Sequence, residues 1–162
     1  MPRELRGEVC APDGRVAIVV GRVNQMITER LLAGALDELR SAGVDEDKID
    51  IVWVPGSFEI PAAARALLQA GQHSTLIVLG CVIRGETDHY IAVMTEAARG
   101  TAEIARNHGI GVGYGVLNCH TVEQALDRSG ERMNMGREAA RTALYMTDLI
   151  RKMKVLGGGT TQ

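Results

Sequence analysis

Short β-branched runs alternate along this chain with longer stretches in which apolar residues recur every three or four positions. Arg15 to Val20 (RVAIVV) has the composition of a buried strand. Asn24 then offers an N-cap side chain, and Ile27, Leu31, Leu32, Ala35, Leu36 and Leu39 repeat at helical spacing until Gly43 ends the helix. The alternation recurs. Ile49 to Val54 predicts a second strand, Pro55-Gly56-Ser57 a turn, and Pro61 to Gln69 a short helix opened by proline. Thr75 to Ile83 predicts a third strand, with a helix from about Asp88 to Asn107 behind it. Gly111 to Leu117 predicts a fourth. Helices over about Thr121 to Arg128 and Gly136 to Met153 close the pattern.

Strands alternating with helices predict a parallel sheet covered on both faces, joined by right-handed crossovers. The expected architecture is a three-layer α/β/α sandwich, doubly wound, with a four-stranded parallel sheet over residues 15–154. Residues 1–14 fit none of these units. They read as an arm or as an N-terminal edge strand that pairs with a neighbouring subunit and covers an exposed sheet edge. Residues 155–162, with three consecutive glycines, read as a flexible tail.

Composition narrows the function classes. At 162 residues, 46% apolar and 23% charged, the chain is one globular domain with a normal core. A net charge of −2 without a basic run gives no reason to expect nucleic acid. No apolar stretch approaches the roughly 20 residues of a membrane helix, and the charged N-terminus lacks a secretory h-region. A cytoplasmic protein with reduced thiols is expected. Cys10, Cys81 and Cys119 are too few for a disulfide framework. The Cys119-His120 pair lacks a second pair at zinc-site spacing, so no metal is expected.

The segment Leu79 to Tyr90 (LGCVIRGETDHY) carries the densest candidate chemistry. It runs an apolar strand through a glycine turn into a helix start, and places Arg84, Glu86, Thr87 and His89 at a strand's carboxyl end. Ligands of open α/β sheets bind there, and the N–H groups of a helix start attract anions. His89 adds a group that moves protons near neutral pH. His73 and His108 precede strands at the opposite edge and are expected on the surface, while nothing frames His120.

A second loop, Val54 to Pro61 (VPGSFEIP), puts Ser57, Phe58 and Glu59 at the same end of the sheet. Phe58 and Tyr90 lie just past strand ends, which suits a flat ligand, whereas Trp53 is expected to fill core. Arg128, Arg132 and Arg137 form either a solvated face or a phosphate clamp. Gly80 and Gly85 make neither a dinucleotide nor a Walker loop, so neither NAD nor ATP is indicated. None of the lysines, Lys48, Lys152 and Lys154, is near a strand's carboxyl end. Imine chemistry here must take its amine from the substrate.

These motifs, with GRVNQMIT (21–28), GVLNCHTVEQALDRSG (115–130) and NMGREAA (134–140), stand in the order and spacing of the lumazine synthase family, which the chain resembles from about Arg15 to Met153. The resemblance implies a flavodoxin-like fold. It also implies condensation of 5-amino-6-ribitylaminouracil with 3,4-dihydroxy-2-butanone 4-phosphate, giving 6,7-dimethyl-8-ribityllumazine without metal or organic cofactor. It implies homopentamers, which in the family also build decamers and 60-subunit shells. By motif position it makes His89 the general acid/base, and it assigns phosphate to Gly85, Glu86 and Thr87 with Arg128 of an adjacent subunit. Ser57, Phe58 and Glu59 would hold the ribityl chain, with Val23, Asn24, Gly56 and Cys81 beside them. Val82 and Ile83 would wall the pyrimidine, and Tyr114 would reach the site across the interface.

Two positions depart from the family's pattern. Val23 stands where an aromatic is common, and Met135 where lysine is common. Two alternatives stay open: an archaeal-type riboflavin synthase, and a ring or shell protein that binds flavin-like ligands with weak or no turnover.

Overall fold

A computed structural model describes residues 1–158. Its four strands are β1 (Arg15–Gly21), β2 (Ile49–Val54), β3 (His73–Ile83) and β4 (Gly111–Cys119), and its five helices are α1 (Gln25–Ser41), α2 (Ile60–Gln69), α3 (His89–His108), α4 (Val122–Asp127) and α5 (Met135–Leu156). The strands form one parallel sheet in the order β2-β1-β3-β4. The expected three-layer sandwich is borne out.

The pleat of β1 divides the core in two. Val16, Ile18 and Val20 face α1 and α5, where they meet Ile27, Leu31, Leu39, Ala139, Ala140 and Leu144. Ala17 and Val19 face the other way, onto Ile60, Ala64, Leu68 and Ile104 of α2 and α3. Burial on both faces is why β1 and β3 read as unbroken apolar runs. Side chains such as Ile18 and Ile77 are wholly buried, each contributing roughly 1.5–3 kcal/mol.

Helices α1 and α5 approach closely because Gly136 lies against the Leu31 carbonyl and Gly34 against the Asn134 side chain. Local signals set the helix ends. Asn134 Oδ1 accepts the Arg137 N–H (3.0 Å) at the start of α5, and Thr121 with Gln124 forms a capping box at α4. Gly109, at φ 60°, closes α3 in the left-handed conformation.

Three local expectations are corrected. Asn24 precedes α1 but its side chain makes no cap hydrogen bond, because another partner holds it. Trp53 is 38% exposed, since β2 is an edge strand and has no neighbour on its outer side. His73 belongs to β3, which begins two residues earlier than expected. Its side chain is only 5% exposed, and Nε2 donates to Asp50 Oδ2 (2.7 Å).

Arg15 closes that network with two hydrogen bonds to Asp50, both 2.8 Å. Hydrogen bonds from Arg15, then from His73, hold the Asp50 carboxyl well below the usual carboxylate range.

The ends of the chain follow defined paths as far as Gly158. Residues 1–12 form no strand within the chain. They run along α5 instead, where the Glu8 N–H donates to Asp148 Oδ2 (2.9 Å), Lys152 Nζ donates to the Arg6 carbonyl (3.0 Å) and Val9 packs on the core. Helix α5 continues through Leu156, beyond the expected start of the tail at 155. Residues 159–162 of that tail lie outside the described residues.

Candidate functional site

The chain leaves β1 toward β2 on one side and reaches β3 on the other, so the sheet's switch point lies between the carboxyl ends of β1 and β3. Ligands bind at such crevices. A cavity of about 490 Å3 opens there, a size suited to a small-molecule substrate.

Three corners of the chain build its walls. Beyond β1 the ladder to β2 persists for two residues, with Arg22 N–H donating to the Val54 carbonyl (2.8 Å) and Val23 N–H to the Pro55 carbonyl (3.1 Å). Val23 is thereby laid over Gly56. Asn24 turns the chain at φ 58° and ψ 49°, and its Nδ2 donates to the Cys81 carbonyl (3.0 Å).

The second corner is a 3-10 turn over Ser57–Glu59, which joins β2 to α2. Ser57 is 4% exposed and its hydroxyl lies against Gly80, while Phe58 is half exposed at the mouth. Glu59 sits where α2 begins, a position that suits a carboxylate.

The third corner follows β3. The Arg84 N–H donates to the Cys119 carbonyl (2.9 Å), carrying the β3–β4 ladder one residue past the strand. The backbone N–H groups of Gly85, Glu86, Thr87 and Asp88 then have no hydrogen-bond partner among the described residues. They precede the 20-residue α3, whose dipole adds positive potential. His89 is exposed at the first position of α3, and its imidazole makes no hydrogen bond among the described residues. The Arg84 guanidinium lies 5.9 Å from the Tyr90 ring centre.

Val23, Asn24, Gly56, Ser57, Phe58, Glu59, Cys81, Val82, Ile83, Gly85, Thr87 and His89 therefore line one cavity. Tyr90, Ala92 and Val93 line it too. Ala92 and Val93 were missed, although they sit three and four residues beyond His89 and so share its helix face. Cys81 contributes wall and carbonyl rather than a nucleophile. Burial, reinforced by Cys119, pushes its thiol up to about 12.

Arg84 does not line the cavity, and three of the residues that the resemblance assigns to the site also lie outside it. Glu86 is exposed and does not line it. Arg128 caps α4 with its guanidinium on the Gln124 carbonyl (3.0 Å). Tyr114 pairs with Val78 deep in the sheet and packs toward α2 and α3, where burial raises its phenol pKa. A larger cavity of about 580 Å3 opens at the sheet's opposite end, beneath Cys10 to Gly14, and contains none of the candidate residues. No cluster of three His, Cys, Asp or Glu able to hold a metal is present among the described residues. No helix among them is long and apolar enough to cross a membrane.

Residues 13–151 match the family model described as 6,7-dimethyl-8-ribityllumazine synthase. The chain belongs to that family, whose members are transferases of riboflavin biosynthesis, and the resemblance carried by its motifs is borne out.

Proposed function

We propose that this protein condenses 5-amino-6-ribitylaminouracil with 3,4-dihydroxy-2-butanone 4-phosphate to form 6,7-dimethyl-8-ribityllumazine, releasing phosphate and water. The observation that carries this reading is a single cavity lined by His89 together with Gly85 and Thr87, whose backbone N–H groups have no partner among the described residues. One group moves protons, and the other stabilises an anion that must leave.

In this reading the substrate amine attacks the ketone and an imine forms with loss of water. Removal of a proton beside the imine expels phosphate, and attack of the second nitrogen closes the ring with loss of another water. His89 shuttles the protons. With no partner for its imidazole among the described residues, it is free to be oriented by the ligand. Val82, Ile83 and Phe58 hold the ring, and Ser57 and Glu59 meet the ribityl hydroxyls. The amine belongs to the substrate, so neither a catalytic lysine nor an organic cofactor is needed.

The position of Arg128, partly exposed and outside the chain's own cavity, supports a site shared between neighbouring subunits of a homopentamer. Arg128 would then supply the phosphate's counter-charge from the adjacent chain.

Purified protein mixed with both substrates should raise the lumazine absorbance above the uncatalysed rate. Only the background rate would overturn the reading. Val23 favours a second reading, because an exposed aliphatic residue cannot stack on a pyrimidine. Ligand binding without product would support that alternative.

A further inference from the structure

We infer that Asn24 is a positioning residue whose side-chain amide braces the crevice between β1 and β3 and thereby holds Val23 as a wall of the cavity. The inference rests on the condensation reading for its kinetic consequence, though not for its geometry.

Asn24 stands at an N-cap position, where an asparagine side chain ordinarily accepts a hydrogen bond from the first helical turn. Here it does not. Its Nδ2 donates instead to the Cys81 carbonyl, 57 residues along the chain. The backbone is left-handed at φ 58° and ψ 49°, and among described non-glycine residues only Gln72 shares a positive φ. Asparagine tolerates that conformation better than most residues bearing a Cβ, so the turn itself is met locally and the side-chain amide is left to set where the corner points.

The corner is held from both sides. Val23 N–H is tied to Pro55 beyond β2, and Asn24 is tied to Cys81 on β3. The corner thus spans the three strand ends around the switch point, with Val23 held against Gly56. With one Nδ2–H committed to Cys81, Asn24 has Oδ1 and its second amide N–H left to offer a ligand.

Two variants separate bracing from direct contact. Asn24→Gly keeps the left-handed turn without strain and removes the whole side chain. Asn24→Asp keeps size, turn preference and Oδ1, but sets a carboxylate oxygen against the Cys81 carbonyl. As a brace, Asn24 predicts that both variants fold and that both raise KM for ribitylaminouracil about tenfold. In both, kcat should change less than about threefold. Backbone amide exchange at Arg22 and Val23 should accelerate in both.

Asn24→Asp with wild-type KM and exchange, alongside an impaired Asn24→Gly, would instead identify Oδ1 as a direct substrate contact and overturn the brace. Wild-type behaviour of both variants would also overturn it. Amide exchange reads the brace in a protein that makes no lumazine. A wild-type protein that is inactive but shows exchange slower than its variants would sink the condensation alone.

Discussion

The Ser57 hydroxyl occupies the space where a side chain on Gly80 would begin. A glycine in the middle of an apolar strand otherwise weakens it, so its place in β3 follows from the loop that β2 sends across it. Gly80→Ala should displace Ser57 and crowd Ile60, costing about 1–3 kcal/mol of stability. Thermal unfolding and substrate KM report the two effects. Adding Ser57→Ala should recover part of the loss, and strictly additive losses would disprove the contact.

His89→Gln should lower kcat by about tenfold to a hundredfold, at the low end of or below general acid/base contributions because substrate and phosphate loop remain in place. The residue is exposed, so unfolding temperature and subunit assembly should stay unchanged. Co-assembly with Arg128→Ala chains provides a further check. If each site takes His89 from one subunit and Arg128 from its neighbour, mixed rings regain activity that neither variant has alone.

Val23→Phe should tighten binding of the pyrimidine substrate. The position is 56% exposed at the cavity edge, so a ring fits without disturbing the core. Stacking is worth about 0.5–1.5 kcal/mol, which corresponds to a severalfold lower dissociation constant by calorimetry. Unchanged affinity would show that Val23 does not face the pyrimidine.

Asp148 anchors the N-terminal arm, and its carboxyl is held down to about 2 by Lys152, then Arg151, with help from the Glu8 N–H. A carboxyl with a lowered folded pKa contributes stability that is complete above its ordinary value of 3.8 and disappears as pH falls toward about 2. Asp148→Asn should therefore lower the unfolding midpoint at pH 7, and the gap from wild type should close across that acid window. The Glu8 amide should also exchange faster. A gap that stays constant between pH 5 and pH 2 would contradict the assignment.

Gly136→Ala should damage the fold more than any change at the site. A Cβ there would collide with the Leu31 backbone, which cannot rotate away as a side chain can. The cost is about 3 kcal/mol, visible as poor soluble yield or a sharply lowered denaturation midpoint. Gly85→Ala, where nothing lies within 4 Å, is the tolerated control.

Element order and strand identity were legible because burial on two faces leaves continuous apolar runs, and helices leave a repeat of three to four. The candidate site was legible for a related reason. In a parallel sheet every strand ends on the same side, so VPGSFEIP and LGCVIRGETDHY had to meet. Arg128 and Tyr114 illustrate the boundary of that logic, since their place outside the cavity depends on helix α4 and on depth within β4.

The sequence by itself determined the alternation of strands and helices, and the end of the sheet at which the VPGSFEIP and LGCVIRGETDHY segments meet. These follow from periodicity and chain direction, which are local properties. The tertiary structure alone decided that Asn24 braces Cys81 instead of capping α1, that His73 is buried against Asp50 and that Trp53 is left open on an edge. It also decided that the first residues lie along α5. Each of these depends on what a side chain or backbone group meets many residues away, and spacing along the chain carries no record of that.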